Sequence, residues 1–391
     1  MKPISTIAVC LAVLASAASA VAPVTPAVEE KVLSSPVDPE IPVALLVDLS
    51  TGQTLYAREP DRRFVPASVT KVMSIYTAFD LIGRGELSLD RVVVIDKQVA
   101  DEWGGKGSTL FLKEGDRLTI GELLLGVTTV SANDGAVALA KAAAGSLDNW
   151  LVLMNQNAAA LGMHDSHFGL PNGYMDEGRT YTSARDLVRL TTAMTTRFPD
   201  LYKRFFGHRG LTYHGIAQNN HDPITGVVPG ADGIKTGFTE QAGYNFLGSA
   251  ERGGRRLAMV IAGAPSPAIR NKSSRQLIEW GFDNFASREL LPKGTAVGEA
   301  MVQSGSATSV PLITQTPVFA NLPVGQDAKA ALTLRYRGPI EAPIRRGEEV
   351  ATLRITIAGQ EPHDVPLVAG ADVGTANVWQ RLRNGVTGLF R

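Results

Sequence analysis

Apolar runs of buried-strand type stand at both ends of a long stretch with helical spacing, and that order narrows the fold more than any other feature. Val43-Ala44-Leu45-Leu46-Val47-Asp48 is the first such run; the turn residues Ser50-Thr51-Gly52-Gln53 and a further extended piece, Thr54-Leu55-Tyr56, complete a β-hairpin. Strand signals return at 244–249 and 257–262, separated by the turn Glu251-Arg252-Gly253-Gly254. Between them, apolar residues recur at helical spacing over 68–82, where Gly83 ends the pattern, and over 120–125, 133–144, 148–161 and 183–195. A last helical pattern covers 273–285. Strands early and late around a helical middle predict an α+β domain whose sheet joins the two ends of the segment.

The texture changes from about residue 288. Leu332-Thr333-Leu334-Arg335-Tyr336-Arg337 and Leu353-Arg354-Ile355-Thr356-Ile357 alternate apolar and polar with period two between Gly and Pro turns, which reads as a small β domain. The final stretch places Val378, Trp379, Leu382, Val386, Leu389 and Phe390 on one helical face, with Arg381, Arg383 and Arg391 as its charges. A basic, aromatic-bearing amphipathic helix suits an anchor lying in a membrane interface; the plainer alternative is a helix docked on its own β domain.

At the other end, Lys2, an apolar stretch over 7–15 and Ala18-Ser19-Ala20 have the layout of a secretory signal peptide cleaved after Ala20. The sole cysteine, Cys10, falls inside it, so the exported chain has no thiol for disulfides, catalysis or metal ligation. The expected organisation is a signal peptide over 1–20, a Pro/Ala/Val/Glu-rich flexible leader over 21–40 and the α+β domain over 41–285. A β-sandwich over 286–372 and the anchor helix over 373–391 follow. Lys+Arg and Asp+Glu both number 38, so the chain as a whole has no attraction for nucleic acid.

Three short patterns hold the chemistry. Ser68-Val69-Thr70-Lys71 puts a hydroxyl and an amine one turn apart at a helix start, where a lysine kept neutral by burial or a nearby cation can activate the serine. Ser131-Ala132-Asn133 opens the alanine-rich helix; its hydroxyl can relay a proton and its amide can orient a substrate carbonyl. Lys235-Thr236-Gly237, in a stretch fit for an edge strand, offers a cation and a hydroxyl to a terminal carboxylate, with room for a substrate backbone beside the glycine. Singly, each pattern is as readily a helix cap or an exposed turn. Each occurs once, in the order nucleophile, relay, anion binder.

That set resembles the penicillin-binding and serine β-lactamase superfamily, whose signature is Ser-x-x-Lys, Ser-x-Asn and Lys-Thr-Gly in this order. The framing Pro66-Ala67, the run Ser131-Ala132-Asn133-Asp134 and Asp232-Gly233-Ile234-Lys235-Thr236-Gly237-Phe238-Thr239 narrow the resemblance to low-molecular-mass penicillin-binding proteins acting as D-alanyl-D-alanine carboxypeptidases. Gly169-Leu170 and Tyr181-Thr182-Ser183-Ala184-Arg185-Asp186-Leu187 fit the same family. The resemblance implies a β-lactamase/transpeptidase-like catalytic domain: Ser68 forms the acyl-enzyme, Lys71 is the base, Ser131 the relay and Lys235 the carboxylate binder. Asn133, Thr236, Gly237, Phe238 and Arg270 are implied substrate-binding residues, and the amides of Ser68 and Phe238 the oxyanion hole.

It further implies a peptidoglycan stem peptide ending in D-Ala-D-Ala as substrate and covalent acylation by β-lactams. It also implies a periplasmic location at the cytoplasmic membrane, reached through the terminal helix, and neither metal nor cofactor. Ala132 departs from the glycine usual at that place, a small-for-small change that leaves Ser131 its role. Endopeptidase, transpeptidase and β-lactamase activities are the alternatives. The Glu and Asn pattern usual for a β-lactamase's deacylating water is missing from 168–181, and endopeptidase relatives generally lack the added β domain. His164, His167, His208, His214 and His221 read as surface or core histidines, and Trp103-Gly104-Gly105-Lys106-Gly107-Ser108 as a loop near the site rather than a phosphate loop.

Overall fold

The structure, a computed structural model, describes residues 35–325 and 328–377, in two compact units. The expected signal peptide, the leader as far as residue 34 and the terminal helix beyond residue 377 lie outside the described residues.

In the unit Ser35–Asp283 the early and late strands do share one sheet. Its order is Gln53–Arg58, Val43–Asp48, Arg255–Ala264, Gly243–Arg252 and Ala231–Thr239, all antiparallel. Val43–Asp48 is buried at every position, because it lies inside the sheet with both faces covered. Its Asp48, fully buried, accepts from Arg255 Nε at 2.6 Å, an ion pair that locks the hairpin to the strand two hundred residues later. The stretch read as a leader is ordered at its end: Val37 is buried, and Arg58 donates to the carbonyls of Asp38 and Ile41.

Lys71–Gly83 is the helix at the centre of this unit, with ten of its thirteen residues buried, so it shows no polar stripe. Ile120–Thr129, Asn133–Ala144, Leu147–Ala160 and Ala184–Arg197 follow the expected helices to within a few residues. Their starts are fixed locally: Thr119 and Glu122 form a capping box, and Ser146 and Ser183 accept from backbone amides three residues on. The helix expected over 273–285 begins earlier, at Pro267, and ends at Asn284. Two small antiparallel pairs, Val92–Val94 with Arg117–Thr119 and Gly210–Tyr213 with Ile216–Asn219, were not legible as strands, being too short to show a period.

The second unit contains a six-stranded sheet ordered Ala330–Arg335, Glu349–Ile357, His363–Ala369, Ser309–Thr314, Ala296–Gln303 and Ile340–Glu341. A two-stranded ribbon, Phe285–Leu291 with Val318–Pro323, packs Val318, Ala320 and Leu322 against Ile355 and Ile357. The period-two segments lie where alternation puts them, with Leu353, Ile355 and Ile357 inward and Arg354 outward. The first residues assigned to the terminal helix are not helical: Val373 and Thr375 make β-bridges to Ile344 and Gly305.

Candidate active site

A 3-10 turn, Ala67–Thr70, runs directly into the central helix and carries Ser68. No side chain caps either helix start, so Ser68 is not held as a cap. Ala67 has φ +50°, a left-handed conformation costing a residue with a Cβ about 1–2 kcal/mol, and Ser131 repeats it at +64°. Such strain persists only where neighbours over-determine it. At Ala67 two glycines allow the close packing that does so. A Cβ on Gly237 would stand 2.4 Å from Pro66 O and 3.2 Å from Ser68 N, and one on Gly173 1.9 Å from Ala67 O. Asn245 adds a strut from the sheet, donating to Val65 O at 3.0 Å while accepting from Gly263 N at 2.8 Å.

Lys71 is completely buried, and its Nζ meets three oxygens: Ser68 Oγ at 2.9 Å, Asn133 Oδ1 at 2.7 Å and the Asn172 carbonyl at 2.7 Å. The last two can only accept, so they take two N–H groups whatever the charge. What remains on Nζ, a third N–H in the ammonium or a lone pair in the amine, points at Ser68. Burial, joined by the charge of Lys235, holds the Lys71 ammonium well below its ordinary pKa, with Asp134 pulling weakly the other way. Burial and the Lys235 charge both act in favour of the amine, the form of a lysine able to accept a proton from a neighbouring hydroxyl.

The helix Asn133–Ala144 has Ala132 as its N-cap and no side-chain cap, so neither Ser131 nor Asn133 serves that end. Asn133 is instead spent on positioning: beyond its bond to Lys71, Nδ2 donates to Lys106 O at 2.7 Å. Ser131 lines the cleft with Ser68 and, among the described residues, its hydroxyl has no hydrogen-bond partner in the protein. Asp134, fully buried, accepts from the amides of Leu110 and Leu112, fastening the loop that begins at Trp103 to this helix. That loop borders the site, as expected, through Gly107 and Ser108.

Ala231–Thr239 is an edge strand, as the third pattern required. Lys235, nearly buried, donates to Thr236 O at 3.1 Å; burial, and then the Arg270 charge, lower its pKa to about 7 against a weaker pull from Asp222. Arg270 sits in the first turn of the helix Pro267–Asn284, its guanidinium 6.0 Å from the Tyr244 ring centre. Phe238 is half exposed and stacks on Tyr244 at 4.2 Å. Together these residues border a cleft of about 600 Å³.

Ser68, Ser131, Asn133, Thr236, Gly237, Phe238 and Arg270 all line the cleft, with Lys71 and Lys235 beneath it. Three contributors were missed. His221 lines the cleft beside Arg270, where burial and the charges of Lys235 and Arg270 lower its pKa; its setting, Asn219-Asn220-His221-Asp222-Pro223, reads as a turn. The Asn172 carbonyl and the Gly173 approach come from a loop whose Pro171-Asn172-Gly173 signals only a turn. His167, His208 and His214 fit ordinary roles, bonded to or stacked on near neighbours. Among the described residues no cluster of His, Cys, Asp and Glu could hold a metal ion.

Residues 31–266 match the family profile described as D-alanyl-D-alanine carboxypeptidase, and residues 285–375 that of the penicillin-binding protein 5 C-terminal domain. The chain is 33% identical to the D-alanyl-D-alanine carboxypeptidase DacD of Salmonella typhimurium, over 86% of this chain and 87% of that one. It is 32% identical to DacD of Escherichia coli, over 90% and 92% respectively. Penicillin binding protein 5 from Haemophilus influenzae superposes with a TM-score of 0.73 at 30% identity, covering 86% of this chain and 98% of that one.

Proposed function

The chain belongs to the D-alanyl-D-alanine carboxypeptidase family, and from that premise we propose how its cleft divides the work. It is a serine-type carboxypeptidase that removes the terminal D-alanine from peptidoglycan stem peptides. The neutral Lys71 amine takes the Ser68 proton as Ser68 Oγ attacks the carbonyl of the penultimate D-alanine. Negative charge forms on that carbonyl oxygen and is received by the amides of Ser68 and Phe238. As the C–N bond breaks, the departing amine gains the proton from Lys71 through the Ser131 hydroxyl. Water then attacks the ester, giving its proton to Lys71, which passes it to Ser68 Oγ as the C–Oγ bond breaks, leaving the acid product, free Ser68 and a neutral Lys71.

The supporting observation is the set of contacts around Lys71: two obligate acceptors fill two directions and leave the third for Ser68. Lys235, Thr236 and Arg270 hold the substrate's terminal carboxylate, and Gly237 lets its backbone lie along the strand edge. A β-lactam acylates Ser68 in the same way but its amine stays tethered, so no fragment leaves and the ester persists.

The working test gives the purified protein diacyl-Lys-D-Ala-D-Ala and, separately, labelled penicillin. D-alanine release and a covalent adduct are expected, both lost in Ser68→Ala; either one surviving in that variant overturns the assignment.

Residues 1–20 act as an export signal and the chain works at the periplasmic face of the cytoplasmic membrane, held by an amphipathic helix formed within 378–391, beyond the β-bridges of Val373 and Thr375. No described helix is long and apolar enough to cross a membrane. Deleting residues 376–391 should release the protein from membranes while peptide hydrolysis continues; a shortened chain that stays bound rules the anchor out.

A further inference from the structure

Charge is divided unevenly along the cleft. His221 and Arg270 line one part of it, above Lys235, whereas Glu240 is the single carboxylate among the lining residues. Glu240 is exposed and takes part in none of the ion pairs among the described residues. It follows directly on the strand Ala231–Thr239, three residues beyond the Gly237 that abuts Ser68, or about 10 Å along an extended backbone.

A peptide added to this edge, its carboxylate at Lys235 and Thr236 and its scissile carbonyl at Ser68, must run on past Phe238. Its next residue, the one before the D-alanyl-D-alanine pair, then lies beside Thr239 and Glu240. Facing it are Tyr174 and the exposed Met175, an apolar wall suited to a methylene stem. Gln241 Nε2 lies 3.9 Å from where a Cβ on Gly178 would stand, so the loop bearing exposed Glu177 meets the turn bearing Glu240 at the cleft mouth. The neighbouring cations look elsewhere: Arg179 Nε donates to Asp176 O, and Lys106 sits over the Trp103 ring.

We propose that Glu240 makes the enzyme selective for stem peptides whose residue before the D-alanyl-D-alanine pair carries a free side-chain amine. The inference rests on the substrate direction given above. The ammonium pairs with the Glu240 carboxylate while its methylenes cover Met175.

Two peptides test it, Nα-acetyl-L-Lys-D-Ala-D-Ala and its Nα,Nε-diacetyl form, compared as a ratio of kcat/KM within each protein so that differences in active fraction cancel. The unaltered enzyme should favour the free amine by about threefold at low salt, the size of an exposed ion pair, and the ratio should approach one as salt rises. Glu240→Gln should bring the ratio to about one at any salt, and Glu240→Lys should invert it. An unaltered enzyme without the preference, or a Glu240→Gln enzyme that keeps it, overturns the proposal. Failure to release D-alanine from either peptide would instead remove the carboxypeptidase reading beneath it.

Discussion

Two strands, one from each unit, treat a basic residue in opposite ways. Ala231–Thr239 is buried without a break from Gly233 to Gly237, and within that run Lys235 reaches no carboxylate at ion-pair distance among the described residues. Glu349–Ile357 alternates, and its outward Arg354 is held by both oxygens of Asp364 at 2.7 Å. Where a sheet only needs to stand, its charges are neutralised at the surface. In the strand proposed to bind an anion, a cation is kept buried and short of partners, a costly state that a substrate carboxylate would complete.

The contrast breaks most severely at Lys71. Lys71→Met should reduce Ser68 acylation by labelled penicillin about a thousandfold, the scale of a lost general base; a fall of less than tenfold would mean the proton leaves by another route. Next comes the close approach at the strand edge. Gly237→Ala drives a methyl group to within 2.4 Å of Pro66 O and should cost about a hundredfold in kcat/KM through displacement of Ser68.

Lys235 sharpens the comparison through pH. With its folded pKa near 7 against an ordinary 10.5, the unfolded chain binds the extra proton between these values, so this residue's contribution to stability rises with pH across that window. From pH 7 to 9 the parent should gain about 2 kcal/mol over Lys235→Met in denaturant unfolding. Activity should have the opposite alkaline sign: as pH passes 7 Lys235 loses the charge proposed to hold the substrate carboxylate, so kcat/KM falls there. The smallest effect belongs to the other strand, where Arg354→Ala should leave both Tm and D-alanine release unchanged within error. A measurable loss of turnover would end the division into chemical and structural charge.

The sequence showed these two strands with different clarity for the same reason. Alternation around Leu353 and Ile355 reveals one buried face, while the run through Lys235 is covered on both sides and was recognised from its motif alone. The Ser68–Lys71 contact and the cleft position of Ser131 were legible because each pattern is local, two residues one turn apart or at one helix head. The Asn172 carbonyl, Asn245, Asp134 and His221 were not, since each acts across the fold from a loop, a strand or a helix start whose local sequence only says turn, strand or cap.

The sheet order has a consequence in time. Val43–Asp48 sits between its hairpin partner and Arg255–Ala264, so the strand made first is completed by one of the last. Ser68 emerges early in synthesis, yet Lys235 and the edge that lines its cleft come more than 160 residues later. A growing chain therefore carries Ser68 long before the strand edge that completes its cleft exists. The enzyme cannot act on a peptide, or be trapped by a lactam, until nearly the whole unit has been delivered and closed.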